Sequence, residues 1–110
     1  MQMSEYQRQA QRTSPDDWHD RVLNGVMGLC GEAGECIDIV KKAMMQGHRM
    51  DTAKLIEELG DVMWYCAELA SGLGVTLDEV ACANIDKLRK RYPDGFSAED
   101  SIRRVDVDAT

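Results

Sequence analysis

Apolar residues step along this chain by three and four, and polar residues fill the gaps between them. One set runs Val22, Val26, Leu29, Ala33, Ile37, Val40 and Met44, and a second runs Leu55, Leu59, Val62, Cys66, Leu69 and Leu73. That period is the signature of amphipathic helices. It predicts one helix from His19 to about Gln46, closed by Gly47, and another capped by Asp51 and running to Ser71 or Gly72. Before them, Ser4 to about Thr13 reads as a short helix whose apolar content is thin, Tyr6 and Ala10, and which docks on a neighbour. Ser14-Pro15-Asp16 is a turn and helix-start signal, with proline suited to the first helical position. After Gly72-Leu73-Gly74, Thr76 and Glu79 form a capping-box pattern for a fourth helix reaching Arg91, with Leu77, Ala81 and Leu88 as its apolar positions. Tyr92-Pro93-Asp94-Gly95-Phe96 is a turn, Ser97 caps a short last element to Arg104, and Asp106 to Thr110 read as frayed.

The absence of any alternating valine- or isoleucine-rich run makes the expected class all-α, a bundle of four to five helices. The 110 residues are expected to form one domain, 1–110, with an N-terminal helix and turn over 1–15 and a frayed tail over 105–110. A chain of this length builds a modest core, so the bundle is expected to be completed by oligomerisation.

The candidate chemistry lies on the two long helices. Glu32-Ala33-Gly34-Glu35 and Glu58-Leu59-Gly60-Asp61 each place two acids three residues apart, with a glycine before the second acid. At about 100° per residue, both pairs flank their apolar stripe on the same hand. Two such helices packed together would aim four carboxylates, Glu32, Glu35, Glu58 and Asp61, at one point. Glycine inside a helix costs roughly 1 kcal/mol against alanine. Gly31, Gly34 and Gly60 are therefore expected where backbones approach closely. The alternative for either acid pair alone is a solvated helix face.

Four carboxylates without a histidine or thiolate make an all-oxygen site, which suits Mg²⁺ or Mn²⁺. A di-iron bundle would show Glu-x-x-His, which neither motif has. Mg²⁺ is commonly shared with substrate phosphates, so the residues point to metal-assisted hydrolysis of a phosphoanhydride. On the fourth helix, Asn84 falls on the apolar stripe, and Lys87 and Arg91 continue from it as a basic edge suited to phosphates. Trp18 is either a packing anchor at a hinge or an aromatic wall for a base. Lys41 and Lys42 complement the C-terminal helix dipole, and His48 and Arg49 fall in the following loop.

The net charge of −7 argues against a nucleic-acid partner and against an anionic membrane surface. With no signal peptide and no apolar run of about 18 residues, a cytoplasmic location is expected. Cys30, Cys36, Cys66 and Cys82 show no Cys-x-x-Cys spacing and are expected as small buried hydrophobes.

Gly31-Glu32-Ala33-Gly34-Glu35, Lys41-Lys42, Glu57 to Tyr65, Asn84-Ile85-Asp86-Lys87-Leu88 and Arg91-Tyr92-Pro93-Asp94-Gly95-Phe96 together closely resemble the MazG-like nucleotide pyrophosphohydrolases. These belong to the all-α NTP pyrophosphatase superfamily, and the resemblance runs from about Tyr6 to Arg104. It implies hydrolysis of a nucleoside triphosphate to the monophosphate and pyrophosphate by attack of water on the α-phosphorus. It implies Mg²⁺ held by Glu32, Glu35, Glu58 and Asp61, with Glu35 as the acid that orients or deprotonates the water. It places Asn84 and Lys87 near substrate, and leaves Trp18, His48 and Tyr92 as base-contacting candidates. It also implies a homodimer or homotetramer. Alternatives are phosphoribosyl-ATP pyrophosphohydrolase, with the same bond chemistry, and a helical interaction module that keeps the scaffold without turnover.

Overall fold

The computed structural model describes residues 1–15 and 20–107. Among them every regular element is a helix: α1 Met3–Gln11, α2 Arg21–Met45, α3 Thr52–Gly72, α4 Leu77–Arg91 and α5 Ala98–Arg103. The all-α class read from the periodicity holds. The chain divides into two compact units, Met1–Leu77 and Asp78–Thr110.

In the first unit, α2 and α3 form an antiparallel hairpin, and α1 lies on α3. Capping fixes both starts. The Asp20 carboxylate accepts from Leu23 N at 2.9 Å, and the Asp51 carboxylate accepts from Lys54 N at 3.0 Å. The second cap is the expected one. The first, Asp20, comes one residue after the expected start at His19, which lies outside the described residues together with Asp16. Gly47 ends α2 with φ of 72°, a left-handed conformation that a side chain would strain.

Two expectations about packing are corrected. Gly31, Gly34 and Gly60 face open space within this chain. The close approaches are instead at Gly25, where an added Cβ would lie 2.9 Å from Leu69 Cα, and at Gly28, where it would lie 2.1 Å from the Tyr65 ring. The hairpin therefore closes toward the N-terminal end of α2 and the C-terminal end of α3. The second correction concerns the stripes. Val26, Ile37, Met44, Leu59 and Leu73 are all exposed, and the buried apolar set among the described residues is Ala10, Ala67, Ala70 and Leu77, with Tyr6, Trp64, Cys66 and Val75 against it. Two packed helices cover only one side of each other, so apolar positions on their far sides stay open.

The seam between α1 and α3 is polar as well as apolar. The buried Gln7 donates to Ser71 Oγ and Val75 O, both at 3.0 Å, and accepts from Leu77 N at 2.7 Å. Trp64 Nε1 donates to Thr13 Oγ1 at 2.7 Å. Glu68 has no exposed surface; Ser14 Oγ donates to it at 2.9 Å, and the Arg21 guanidinium stands 3.9 Å away. This polar seam is why α1 docks with so little apolar surface. The four cysteines are free thiols, with Cys30 and Cys82 exposed rather than buried as expected.

In the second unit, α4 leads into a turn where Tyr92 and Phe96 rings meet at 5.4 Å. Ser97 caps α5 by accepting from Asp100 N at 3.0 Å. Of the tail read as frayed, the described residue Asp106 is tied back to α4. Arg91 Nε and Nη2 donate to the two Asp106 carboxylate oxygens at 2.6 and 2.8 Å. Asn84 and Lys87 are exposed on α4. The apolar stripe on which Asn84 was expected is likewise open at Ala81 and Leu88.

Candidate active site

The hairpin brings acids of both motifs together. Glu32 from α2 and Glu58 and Asp61 from α3 each offer a carboxylate oxygen, and these lie within 4.8 Å of one another. The helix period explains the α3 pair, since Glu58 and Asp61 are one turn apart on the same side. The antiparallel packing of α2 supplies Glu32. Glu35 is exposed and stands outside this group, so three of the four expected acids converge.

The three positions differ in environment. Glu58 is buried, Glu32 half-buried and Asp61 exposed. Crowding raises the Glu32 carboxyl above the ordinary glutamate value, first through a hydrogen bond with Glu58, then through burial and the charges of Asp61, Glu58 and Glu35. An oxygen-only donor set of this kind fits a hard divalent cation. Lys54 Nζ lies 3.3 Å from Glu58 Oε1 and supplies part of the compensating charge.

The cluster opens on a cavity of about 320 Å³ lined by Glu32, Asp61, Trp64 and Tyr65. Its volume falls at the low end of the range for small-molecule sites. Trp64 and Tyr65 meet edge to face at 5.0 Å, so carboxylates border one part of the cavity and aromatic rings another. Tyr65 went unnoticed in the sequence as a site residue. Its signal was its place four residues after Asp61, on the acid face of α3.

The other expected site residues are distributed differently. Arg91 spends its guanidinium on Asp106, and its Cζ lies 5.9 Å from the Tyr92 ring centre, so Arg91 and Tyr92 are both engaged within the second unit. Asn84 and Lys87 present exposed side chains on α4. His48 lines a different cavity, with Lys42 and Arg49. Trp18 lies outside the described residues.

The fold and site define a class of all-helical proteins with an acid cluster drawn from two helices, and comparison with known proteins identifies the family. Residues 23–96 match the MazG nucleotide pyrophosphohydrolase domain, and the chain belongs to that family. It is 45% identical over 73 residues to the Gene 37 protein of Mycobacterium phage L5, a match covering 63% of this chain and 64% of that protein. The chain thus spans just under two thirds of that relative's length. No solved structure matches it. No helix among the described residues is long and apolar enough to cross a membrane.

Proposed function

We propose that this chain is a Mg²⁺-dependent nucleoside triphosphate pyrophosphohydrolase, converting an NTP or dNTP and water to the monophosphate and pyrophosphate. The observation that carries this reading is the convergence of Glu32, Glu58 and Asp61 from two helices beside a cavity of about 320 Å³. Those three acids would hold the ion, Mg²⁺ or Mn²⁺ in its place, with Glu35 as the fourth acid of the set. When bound, the ion supplies charge neutralisation and orientation for a polyphosphate.

The chain's own residues divide the remaining work. Glu35, which the cluster leaves free, is the proposed acceptor of the proton from the attacking water. Asn84 and Lys87 are the proposed phosphate contacts on α4. Arg91 joins them only by exchanging Asp106 for a phosphate. Trp18 and Tyr92 are proposed to contact the base.

Exposed Val26, Ile37, Met44 and Leu59 support a homodimer or homotetramer, since a second copy would cover apolar faces that the monomer leaves in water. The proposed setting is the cytoplasm, in control of the nucleotide pool, without a nucleic-acid or membrane partner. The charge of −7 supports that last point.

The test is chromatographic product analysis over canonical and modified nucleoside triphosphates and phosphoribosyl-ATP, with and without Mg²⁺. Monophosphate plus pyrophosphate, formed only with metal, is the expected result. Diphosphate plus phosphate would mean attack at another phosphorus. Turnover confined to phosphoribosyl-ATP would assign the chain to that reaction instead. Binding without turnover would make it an interaction module.

A further inference from the structure

A second cavity, of about 150 Å³, lies where α2 turns into α3 and is lined by Ile39, Lys42, His48, Arg49, Asp51 and Lys54. In a chain of net charge −7, this cavity gathers three fixed cations and a histidine around one carboxylate. That carboxylate, Asp51, accepts the Lys54 backbone N–H as the cap of α3. Lys42 and Lys54 already have acid partners: Asp38 at 2.9 Å for the first, Glu57 and Glu58 at 3.4 and 3.3 Å for the second. Arg49 has no ion pair with any described residue, although its guanidinium can hold two oxygens of one phosphoryl group at once.

The cavity is linked to the acid cluster. Lys54 pairs with Glu58, a member of the converging acid group. It is smaller than cavities that enclose nucleosides or other drug-sized ligands. Its size and charge suit a small polyanion.

We propose that the Lys42–His48–Arg49–Lys54 cavity binds inorganic pyrophosphate, receiving the leaving group of the reaction next to the acid cluster. The choice of pyrophosphate rests on the function proposed above; the anion site itself does not. Arg49 is the principal ligand, because it is the cation without an acid to surrender. Lys54 is shared between the anion and Glu58, so the seat and the acid cluster are coupled through one ammonium.

The test uses the full chain in the presence of EDTA, so that no metal bridges the anion to the acids. Pyrophosphate is titrated by calorimetry, and its footprint is followed by amide chemical shifts. Shifts centred on His48 to Lys54 are expected, with binding weakened about tenfold or more in Arg49→Ala. That fold-change corresponds to about 1.4 kcal/mol. Lys41→Ala is the control. It removes a neighbouring charge, paired with Asp38 at 3.7 Å, that does not line the cavity, and should bind as wild type does.

Equal binding by wild type and Arg49→Ala overturns the proposal, as does a footprint confined to Glu32 and Asp61. Orthophosphate binding as tightly as pyrophosphate overturns the assignment to the leaving group. Arg49-dependent binding in a chain that hydrolyses no nucleotide would leave the anion site standing and remove the proposed activity. Hydrolysis with an indifferent Arg49 would do the reverse.

Discussion

Gly28 on α2 lies directly beneath the ring of Tyr65 on α3, so closely that a Cβ on Gly28 would sit 2.1 Å from Tyr65 Cε1. Tyr65 lines the acid-bordered cavity, so this contact joins the spacing of the hairpin to the shape of the site. Gly28→Ala must push the ring or separate the helices. It should destabilise the chain by about 1–3 kcal/mol, as overpacking does. Gly31→Ala, with open space around it, should instead gain up to about 1 kcal/mol from helix propensity. Urea unfolding of the two variants checks the contrast; a loss at Gly31 would reveal that a second copy packs there.

Asp61→Asn removes one ligand charge while keeping shape. Metal-dependent turnover should fall by about 10²-fold or more, on the scale of losing one electrostatic stabiliser of a transition state. Thermal stability without metal should be maintained or raised, because one of three converging carboxylates no longer repels the others. Near-normal turnover in this variant would remove Asp61 from the metal site.

Glu32 gives the pH dependence a definite sign. Its folded pKa is raised, so the folded chain holds that proton more tightly than the unfolded chain does. The stabilising contribution is present at low pH and is lost as pH rises from the ordinary value of 4.5 through the raised one. Without metal, melting temperature should show this decline, and Glu32→Gln should flatten it. Mg²⁺ competes with the proton, so its stabilising effect should grow over the same rise in pH. Melting curves across pH, with and without Mg²⁺, measure both.

Ser14 and Glu68 provide a test remote from the acids. Ser14→Ala leaves the fully buried Glu68 carboxylate without its hydroxyl donor; among the described residues its remaining partner is Arg21 at 3.9 Å. Leaving a buried acceptor unsatisfied costs about 1–3 kcal/mol. Denaturant unfolding should show that loss, and Ser14→Thr should restore part of it.

The Arg91–Asp106 pair predicts acid sensitivity at the other end of the chain. The Arg91 guanidinium hydrogen-bonds the Asp106 carboxylate and holds its pKa below the ordinary aspartate value. A depressed pKa stabilises above the unfolded value, and the gain disappears as pH falls through the folded one. The clasp should hold at neutral pH and weaken as pH falls below the ordinary aspartate value of 3.8. Asp106→Asn should make cleavage near position 106 at neutral pH resemble that of wild type in acid. Limited proteolysis across pH reads this directly.

The helices and the identity of the acids were legible along the chain. The three-to-four period of Val22 to Met44 and Leu55 to Leu73, the Asp51 and Ser97 caps and the Gly47 stop are local facts, fixed by backbone hydrogen bonding and side-chain spacing within a few residues. So was the pairing of Glu58 with Asp61 on one face of α3. Packing between elements chose which faces meet. It put Gly25 and Gly28 at the crossing in place of Gly31, Gly34 and Gly60, because close approach depends on where two helices touch. For the same reason it brought in Glu32 and left Glu35 outside. It also gave Arg91 to Asp106, a partner fifteen residues away that local spacing could not single out. Each of these outcomes rests on the relative placement of separate elements, and helix periodicity carries no information about that.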